Sequence, residues 1–259
     1  MSIILSMASG GCGTGYVAHT LKMLYFKLKR PTIYVQWEPK LYADKNHLHR
    51  VNHFNDKEVL ESCWQGMYEQ MLEWEKVGDR GIYVEISHRH IKGWLYRAAQ
   101  EIPDLKIINV HRDLNQLART FYLSRFLKPF PLGNNGWLAP QWNHNLTRLI
   151  NLETSTHLQR VIWYIIEIEE RKKKFMVDHP HIPVATFNMS DRSLKGWQPV
   201  LDLLDHEPTK QFLNIVRRDV KFNHWDKKTV GGDHSITDDR IQEAFDSHKF
   251  TYNDKEVNI

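Results

Sequence analysis

A glycine-rich turn between a short apolar run and an amphipathic segment constrains the fold of this chain most. Four glycines lie between positions 10 and 15 of "SMASGGCGTGYVAHTL", residues 6–21. The preceding "IILSM" has the character of a buried strand, and apolar residues recur at helical spacing after the turn. Glycine permits positive φ and close backbone approach, and the first N–H groups of a helix have no intrahelical partner. The turn is therefore predicted to bind an anion, most often a phosphate; the alternative is a plain tight turn that packs helix on strand.

The rest of the chain alternates strand-like and helix-like segments. The predicted order is strand 3–8, helix 14–29, strand 32–37, helix 56–77, strand 81–87, helix 91–101, strand 106–111 and helix 114–126. This alternation predicts an α/β fold, with a central parallel sheet flanked by helices on both faces. No linker-like, low-complexity or repeated segment interrupts residues 1–259, so we predict a single domain.

Polar and glycine-rich segments follow four of the predicted strands. These are Gly10–Tyr16, Glu38, Ser87–His90 and Arg112. Right-handed crossovers bring the carboxyl ends of parallel strands to one edge of the sheet, where ligands bind in this class of fold. The sequence therefore predicts one site that combines these four segments.

Two familiar phosphate-binding motifs match the turn only in part. In the Walker A frame that begins at Gly10, Tyr16 and Val17 occupy the lysine and hydroxyl positions, which argues against ATP or GTP hydrolysis. The dinucleotide fingerprint fits Gly11 and Gly13 and then meets Tyr16 in place of its third glycine. Glu38 lies about where the ribose-binding acid of that fingerprint falls, so a Rossmann-type oxidoreductase stays open as the runner-up.

The turn also resembles the first loop of sulfotransferases that use 3'-phosphoadenosine-5'-phosphosulfate. That loop has the pattern [KR]-[ST]-G-T-[TSG]-[WY], and Gly11-Cys12-Gly13-Thr14-Gly15-Tyr16 matches it at Gly13, Thr14 and Tyr16. A second segment, "IINVHRDLNQLARTFYLSRF", resembles the family's 3'-phosphate motif. That motif has an arginine after a strand, a hydroxyl residue eight positions later and then an aromatic pair, here Arg112, Thr120, Phe121 and Tyr122. An arginine fork with a nearby hydroxyl suits a dianionic phosphate, although Arg112 paired with a surface acid and a packed Thr120 is the plainer alternative.

The resemblance implies roles for particular residues. The segment "IYVQWEP" resembles many bacterial members, which place a glutamate after the second strand as catalytic base. The corresponding residue here is Glu38. His88 is interpreted as a second acid–base group, and the late basic segment 221–232 resembles the loop that closes over the nucleotide. The nucleotide-binding residues implied are Gly11, Cys12, Gly13, Thr14, Gly15, Tyr16, Arg112, Thr120, Lys227 and Lys228. "YIIEIEERKKKF" and "HPHIPVATF" also resemble the long helix and late strand of bacterial members.

One departure from the family pattern affects the chemistry. The family carries lysine or arginine before the Gly-Thr pair, whereas this chain has Gly11-Cys12. The cation that stabilises the leaving phosphate must then come from elsewhere, or activity is impaired. Lys40, Arg89 and the basic C-terminal loop are the candidates.

Composition narrows the class of partner. A net charge of +4 suits an anionic ligand but is low for a dedicated nucleic-acid binder. The basic run in "ERKKKF" is interpreted as the solvated face of a helix rather than a nucleic-acid patch. The histidine pairs in "SHRH" and "HPHIP" lack the spacing of a zinc motif, so no metal site is expected.

Cysteine usage and hydropathy bear on location. Two cysteines form no disulfide framework, and Cys12 is interpreted as a small structural residue. The sequence shows neither a recognisable signal peptide nor an apolar stretch of 18 residues, so a cytoplasmic protein without a membrane span is expected. A Gly/Pro/Asn-rich segment around 126–150 is predicted to be a lid over the acceptor.

The resemblance thus implies a sulfotransferase. It would move a sulfuryl group from 3'-phosphoadenosine-5'-phosphosulfate to a hydroxyl, or an amine, of a small-molecule or carbohydrate acceptor. A Rossmann-type oxidoreductase and a non-catalytic nucleotide-binding protein are the alternatives.

Overall fold

The structure is a computed structural model. It describes residues 2–24, 33–37, 57–77, 81–123, 138, 140, 144–149, 152–218, 236–247, 249–252 and 255–258. The strands are Ser2–Met7 (β1), Ile33–Trp37 (β2), Ile82–Ile86 (β3), Leu105–His111 (β4), Thr147–Leu149 (β5), Val184–Asn188 (β6), Lys249–Tyr252 (β7) and Lys255–Asn258 (β8). The α-helices are Thr14–Met23 (α1), Lys57–Val77 (α2), Leu95–Glu101 (α3), Leu114–Leu123 (α4), His157–Asp178 (α5), Leu194–Leu204 (α6), Lys210–Arg218 (α7) and Asp238–Asp246 (α8).

Five strands form the central sheet, and all of their pairings are parallel. The order across the sheet is β2-β3-β1-β4-β6. Every residue of β1 from Ile3 to Met7 is buried. Successive side chains of a strand point to opposite faces, so helices must cover both faces of the sheet at its centre. The predicted α/β fold with a central parallel sheet flanked by helices is confirmed.

The strand order has a reversal, and in open α/β sheets such a reversal marks the place where a ligand-binding crevice is expected. From β1 the chain passes to β2 on one side and returns to β3, then crosses β1 to reach β4 and β6 on the other side. The connections that leave β1 and β4 therefore run in opposite directions. This arrangement makes the carboxyl ends of β1 and β4 the topological switch point, where open α/β sheets bind ligands.

Local sequence explains the start of the longest described helix. Thr156 precedes α5, its hydroxyl accepts a hydrogen bond from the Gln159 backbone N–H at 3.2 Å, and the Gln159 side chain accepts from the Thr156 N–H at 2.8 Å. This reciprocal capping box satisfies two N–H groups that the helix itself leaves without partners. The segment "YIIEIEERKKKF" lies within α5, and "HPHIPVATF" runs into β6, so the expected long helix and late strand are both present.

One predicted helix is wrong in its first turns. The segment 91–101 was expected to form a single helix, but a 3-10 helix at His90–Lys92 precedes α3. Gly93 separates the two, with φ −133° and ψ −59°, outside the helical region. Glycine adopts such a conformation at little cost, whereas it weakens the interior of a helix.

The basic run of α5 is not a solvated face throughout. Arg171 is 8% exposed and Lys172 is 2% exposed, whereas the side chain of Lys173 is 67% exposed. The buried pair finds partners on its own helix: Arg171 contacts Glu167 and Lys172 contacts Glu169, at 2.6 and 2.8 Å. The sequence-based expectation is therefore wrong for these two residues, because ion pairing makes their burial tolerable.

A second, smaller sheet contains β5, β7 and β8 in antiparallel pairing. Strand β5 lies next to α5, whose Trp163 indole N–H donates to the Thr147 carbonyl at 3.2 Å. Among the described helices, none combines the length and apolar character that crossing a membrane requires.

Candidate anion-binding site

The carboxyl ends of the parallel strands bring several predicted segments to one edge of the sheet. Residues 8–13 follow β1, Ser87 and His88 follow β3, and Arg112 follows β4. A fourth segment, 189–193, follows β6. These strands neighbour one another in the order β3-β1-β4-β6, so the segments lie side by side.

The glycine turn has the backbone conformation that its sequence predicts. Gly10, Gly11 and Gly13 have φ values of +79°, +58° and +102°. A β-carbon on Gly11 would lie 3.2 Å from the Phe121 ring, and one on Gly13 would lie 2.4 Å from the sulfur of Met189. Both positions therefore favour glycine: a positive φ strains other residues, and a β-carbon would force the Phe121 ring or the Met189 side chain to shift.

Helix α1 begins directly after this turn without a side-chain cap. Gly13 holds the cap position in a left-handed conformation, and no acidic residue lies in the first turn. A helix N-terminus carries partial positive charge and favours an anion. Thr14 and Gly15 are buried in this first turn, and Cys12 is 1% exposed, which fits its interpretation as a small structural residue.

Tyr16 anchors this first turn in the core. Its ring is 3% exposed and lies 6.1 Å from the Phe187 ring and 6.0 Å from the Trp197 ring. The side chain of Tyr16 thus positions the loop. The tyrosine at the third-glycine position of the dinucleotide fingerprint serves to pack α1 against β6 and α6.

Arg112 contacts the glycine turn directly. Its Nη1 donates a hydrogen bond to the Gly11 carbonyl at 2.9 Å. Partial burial lowers the pKa of its guanidinium, and Arg192 lowers that pKa further, whereas Cys12 and Asp113 raise it. Arginine remains protonated in proteins, so a positive charge lies against the turn. Asp113, the next residue, caps α4 by accepting from the Gln116 N–H at 2.9 Å.

Thr120 lies on the helix that faces the turn. Leu117 and Phe121 of α4 are the side chains that approach Gly11, and Thr120 is half-buried beside Phe121. Its hydroxyl donates to the Gln116 carbonyl at 2.8 Å, so the oxygen keeps acceptor capacity. The 3'-phosphate role of Thr120 remains a prediction.

His88 lies at the carboxyl end of β3 but is buried. It is 7% exposed, and its Nδ1 lies 2.5 Å from Nζ of Lys92, which is 2% exposed. Burial lowers the pKa of His88 well below 6.5, and the charges of Lys92 and Arg89 lower it further. A neutral imidazole accepts from the Lys92 ammonium at this nitrogen. The acid–base role of His88 remains a prediction. A buried ring that is paired with Lys92 suits this role less well than an exposed ring.

Several predicted residues lie outside the described part of the chain. They are Glu38, Lys40, Lys227 and Lys228, together with most of the segment 126–150. Trp37, the last residue of β2, pairs with Ile86 of β3 at the same edge of the sheet and is 37% exposed.

Sequence reasoning missed Arg192, which the structure brings to the turn. Its guanidinium carbon lies 5.1 Å from the centre of the Tyr16 ring, a cation–π contact. Its position just after a parallel strand could have predicted it, since the same criterion predicted Arg112 as a site residue. Within the described residues, no group of three or more His, Cys, Asp or Glu side chains is arranged to bind a metal ion.

No family model matches this chain, and no curated protein matches its sequence.

Gly13→Ala tests the built conformation of the turn. We expect the free energy of unfolding to fall by about 1–3 kcal/mol, because a side chain at φ +102° strains the backbone. Urea unfolding measures the change. Gly13→Ala in a Met189→Ala background relieves the 2.4 Å approach, so the loss relative to Met189→Ala alone reports backbone strain. A stability equal to the parent chain in Gly13→Ala would mean that the turn adopts another conformation.

Proposed function

We propose that this protein is a sulfotransferase that uses 3'-phosphoadenosine-5'-phosphosulfate. The observation that carries the proposal is the hydrogen bond from Arg112 Nη1 to the Gly11 carbonyl. It joins the two segments that resemble the family, which are 101 residues apart in the chain. Both segments lie at the switch point of a parallel sheet, where a nucleotide is expected to bind.

The chemistry of the described residues fits a nucleotide with two separate phosphate groups. A β-carbon on Gly11 or Gly13 would meet Phe121 or Met189, so glycine lets the turn pack closely at the start of α1, where the positive end of the helix dipole suits a phosphate. Arg112 offers a planar guanidinium fork, the geometry best matched to phosphate oxygens. We assign the 5'-phosphate to the turn and the 3'-phosphate to Arg112 and Thr120.

The reaction would be an in-line displacement at sulfur. An acceptor hydroxyl attacks the sulfur, the bond to the bridging oxygen breaks, and 3'-phosphoadenosine-5'-phosphate leaves. Glu38 takes the acceptor proton, and the N–H groups of the turn and of the first turn of α1 stabilise the charge that develops on the leaving phosphate. The acceptor is a small molecule or carbohydrate, and the reaction is proposed to occur in the cytoplasm.

The strand order argues against the oxidoreductase alternative. The dinucleotide-binding fold has the order 3-2-1-4-5-6, with its second strand beside its first. Here β3 lies beside β1, and β2 is at the edge. A non-catalytic nucleotide-binding protein is the second candidate function, favoured by Gly11-Cys12 in place of the loop cation.

Ligand stabilisation separates these functions. A ligand at about 100 times its dissociation constant stabilises the folded protein by about 2.7 kcal/mol. We expect 3'-phosphoadenosine-5'-phosphate to raise the unfolding midpoint, and NAD and Mg-ATP to leave it unchanged. Stabilisation by NAD alone would contradict the proposal. Transfer of labelled sulfate to an acceptor then separates an enzyme from a binding protein.

Arg112→Ala tests the residue that joins the two segments. We expect affinity for 3'-phosphoadenosine-5'-phosphate to fall by about 10- to 100-fold, because charged hydrogen bonds are worth about 1.5–3 kcal/mol. Titration calorimetry on the folded variant measures the loss. Arg119→Ala is the matched control, since Arg119 lies on α4 and pairs instead with Asp238. Equal affinity in Arg112→Ala and the parent chain would remove Arg112 from the site.

A further inference from the structure

The segment that follows β6 covers the glycine turn. The Met189 backbone N–H donates to the His111 carbonyl at 2.9 Å, which extends the pairing of β6 with β4 to the residue before Arg112. The Met189 side chain reaches Gly13, where its sulfur would lie 2.4 Å from an added β-carbon. The segment 189–193 is therefore held against the N-terminal end of α1.

Arg192 is oriented within this segment by two contacts. Its Nε donates to the Met189 carbonyl at 3.3 Å, and its guanidinium carbon lies 5.1 Å from the centre of the Tyr16 ring. Tyr16 is itself fixed by stacking on Phe187 and Trp197. The charge of Arg192 is thus held over the first turn of α1 by groups that are already ordered in the core.

Arg192 also lies close enough to Arg112 for their charges to repel. The repulsion contributes to the lowered pKa of Arg112, which is partly buried against the same turn. Two acidic residues lie nearby in the sequence, and each serves to start a helix. Asp113 caps α4, and Asp191 accepts from the N–H and the hydroxyl of Ser193, the cap of α6. Within the described residues no side chain caps the N-terminus of α1, and an anion there is stabilised by an arginine charge held beside it.

We infer that Arg192 is an anion ligand of the glycine turn and supplies positive charge to the 5'-phosphate of the bound nucleotide. The inference rests on the proposed function for the identity of the nucleotide. Residues 11–12 provide no cation to the turn, and Arg192 instead lies against the ring of Tyr16, in the first turn of α1. Arg112 serves the 3'-phosphate, so the two arginines have separable ligands.

A rival source of charge is Arg89, which follows β3 on the other side of β1. Its Nε is buried and has no hydrogen-bond partner within the described residues, and in that part of the chain no contact joins Arg89 to the turn. Arg192 is preferred because it contacts Tyr16, a residue of the turn's own helix.

The test compares ligands that carry one or both phosphates. Calorimetry is performed with 3'-phosphoadenosine-5'-phosphate, adenosine 5'-monophosphate and adenosine 3'-monophosphate. We expect Arg192→Gln to weaken the two ligands with a 5'-phosphate by about tenfold or more and to leave adenosine 3'-monophosphate unchanged. Arg192→Lys restores part of the affinity because it keeps the charge. Arg97→Gln is the control, since Arg97 lies on α3 and pairs with Glu61 and Glu101.

Each contrary outcome has a distinct meaning. Equal losses for all three ligands, or a loss for the 3'-phosphate alone, would overturn the assignment of Arg192 to the 5'-phosphate. A loss in Arg89→Gln with none in Arg192→Gln would overturn it in favour of Arg89. The parent chain could instead bind inorganic pyrophosphate and none of the nucleotides, with weaker pyrophosphate binding in Arg192→Gln. That result would contradict the proposed function but would support Arg192 as an anion ligand. Binding of neither nucleotide nor pyrophosphate would overturn both.

Discussion

Glu167→Ala is expected to lower the free energy of unfolding by about 3–5 kcal/mol, the cost of leaving a buried charge without its partner. The Glu167 side chain is 0% exposed, and its Oε1 accepts from Arg171 Nε at 2.6 Å and from the Leu146 N–H at 3.0 Å. Its Oε2 accepts from the N–H and the hydroxyl of Thr147, both at 2.7 Å. Removal of the carboxylate leaves Arg171, which is 8% exposed, and these donors without their acceptor. Urea unfolding followed by circular dichroism measures the loss.

Glu170→Ala is the matched control for this loss. Glu170 lies on the same helix and pairs with Lys173, whose side chain is 67% exposed. Exposed ion pairs contribute about 0–1 kcal/mol, so this variant changes the charge equally and should lose little stability. Equal losses in the two variants would mean that the buried network around Glu167 is not formed in solution.

The Glu167 network extends from the small sheet toward the candidate site. Arg171 Nη1 donates to the Lys92 carbonyl at 3.0 Å, and Lys92 Nζ lies 2.5 Å from His88. Lys92 also lies 5.2 Å from the centre of the Tyr164 ring, and the Tyr164 hydroxyl donates to the Ser9 carbonyl at 2.6 Å. One chain of contacts thus links β5 to the residues that precede the glycine turn, so stability and site geometry depend on the same side chains.

Local sequence patterns were sufficient to predict the elements around the turn. Apolar runs bounded by glycine and polar residues predicted β1, β2, β3 and β4 to within two residues at each end. The pattern was sufficient because apolar residues predominate in all four strands, and β1 and β3 are buried on both faces. The carboxyl edge could be predicted for the same reason, since parallel strands joined by right-handed crossovers share one direction.

Charged residues in the interior could not be predicted from local pattern. Glu167 and Arg171 are four residues apart on a helix, the spacing of an ordinary surface ion pair. Their burial depends on β5, which follows from tertiary packing and leaves no signature within α5 itself. Arg192 is a related case: its contact with Tyr16 joins positions 176 residues apart, and its position after β6 is a signal only once β6 is known to belong to the parallel sheet. Residues that act through distant partners are visible only once the strand order is known.

Glu38→Gln carries the largest expected effect on catalysis. Glutamine keeps the size and hydrogen-bonding capacity of glutamate but does not accept a proton near neutral pH. We expect single-turnover sulfuryl transfer to fall by about 10²- to 10⁴-fold, the usual contribution of a positioned general base, with nucleotide affinity unchanged. Glu38 lies outside the described residues, so the expectation rests on its position after Trp37 and on the resemblance of "IYVQWEP" to bacterial sulfotransferases.

Transfer rate and nucleotide affinity are measured on one preparation, because together they separate the two roles that Glu38 can have. Glu73→Gln, an exposed carboxylate on α2, controls for the change in net charge. A base acts on the acceptor proton and leaves nucleotide binding intact, whereas a ribose-binding acid holds the nucleotide and leaves the chemical step intact. Lower affinity with undiminished transfer in the bound complex would therefore make Glu38 a nucleotide ligand. Transfer within about threefold of the parent rate would place the base elsewhere and make His88 the next residue to replace. The neutral, lysine-bound imidazole of His88 would then have to exchange its partner before it could accept the proton.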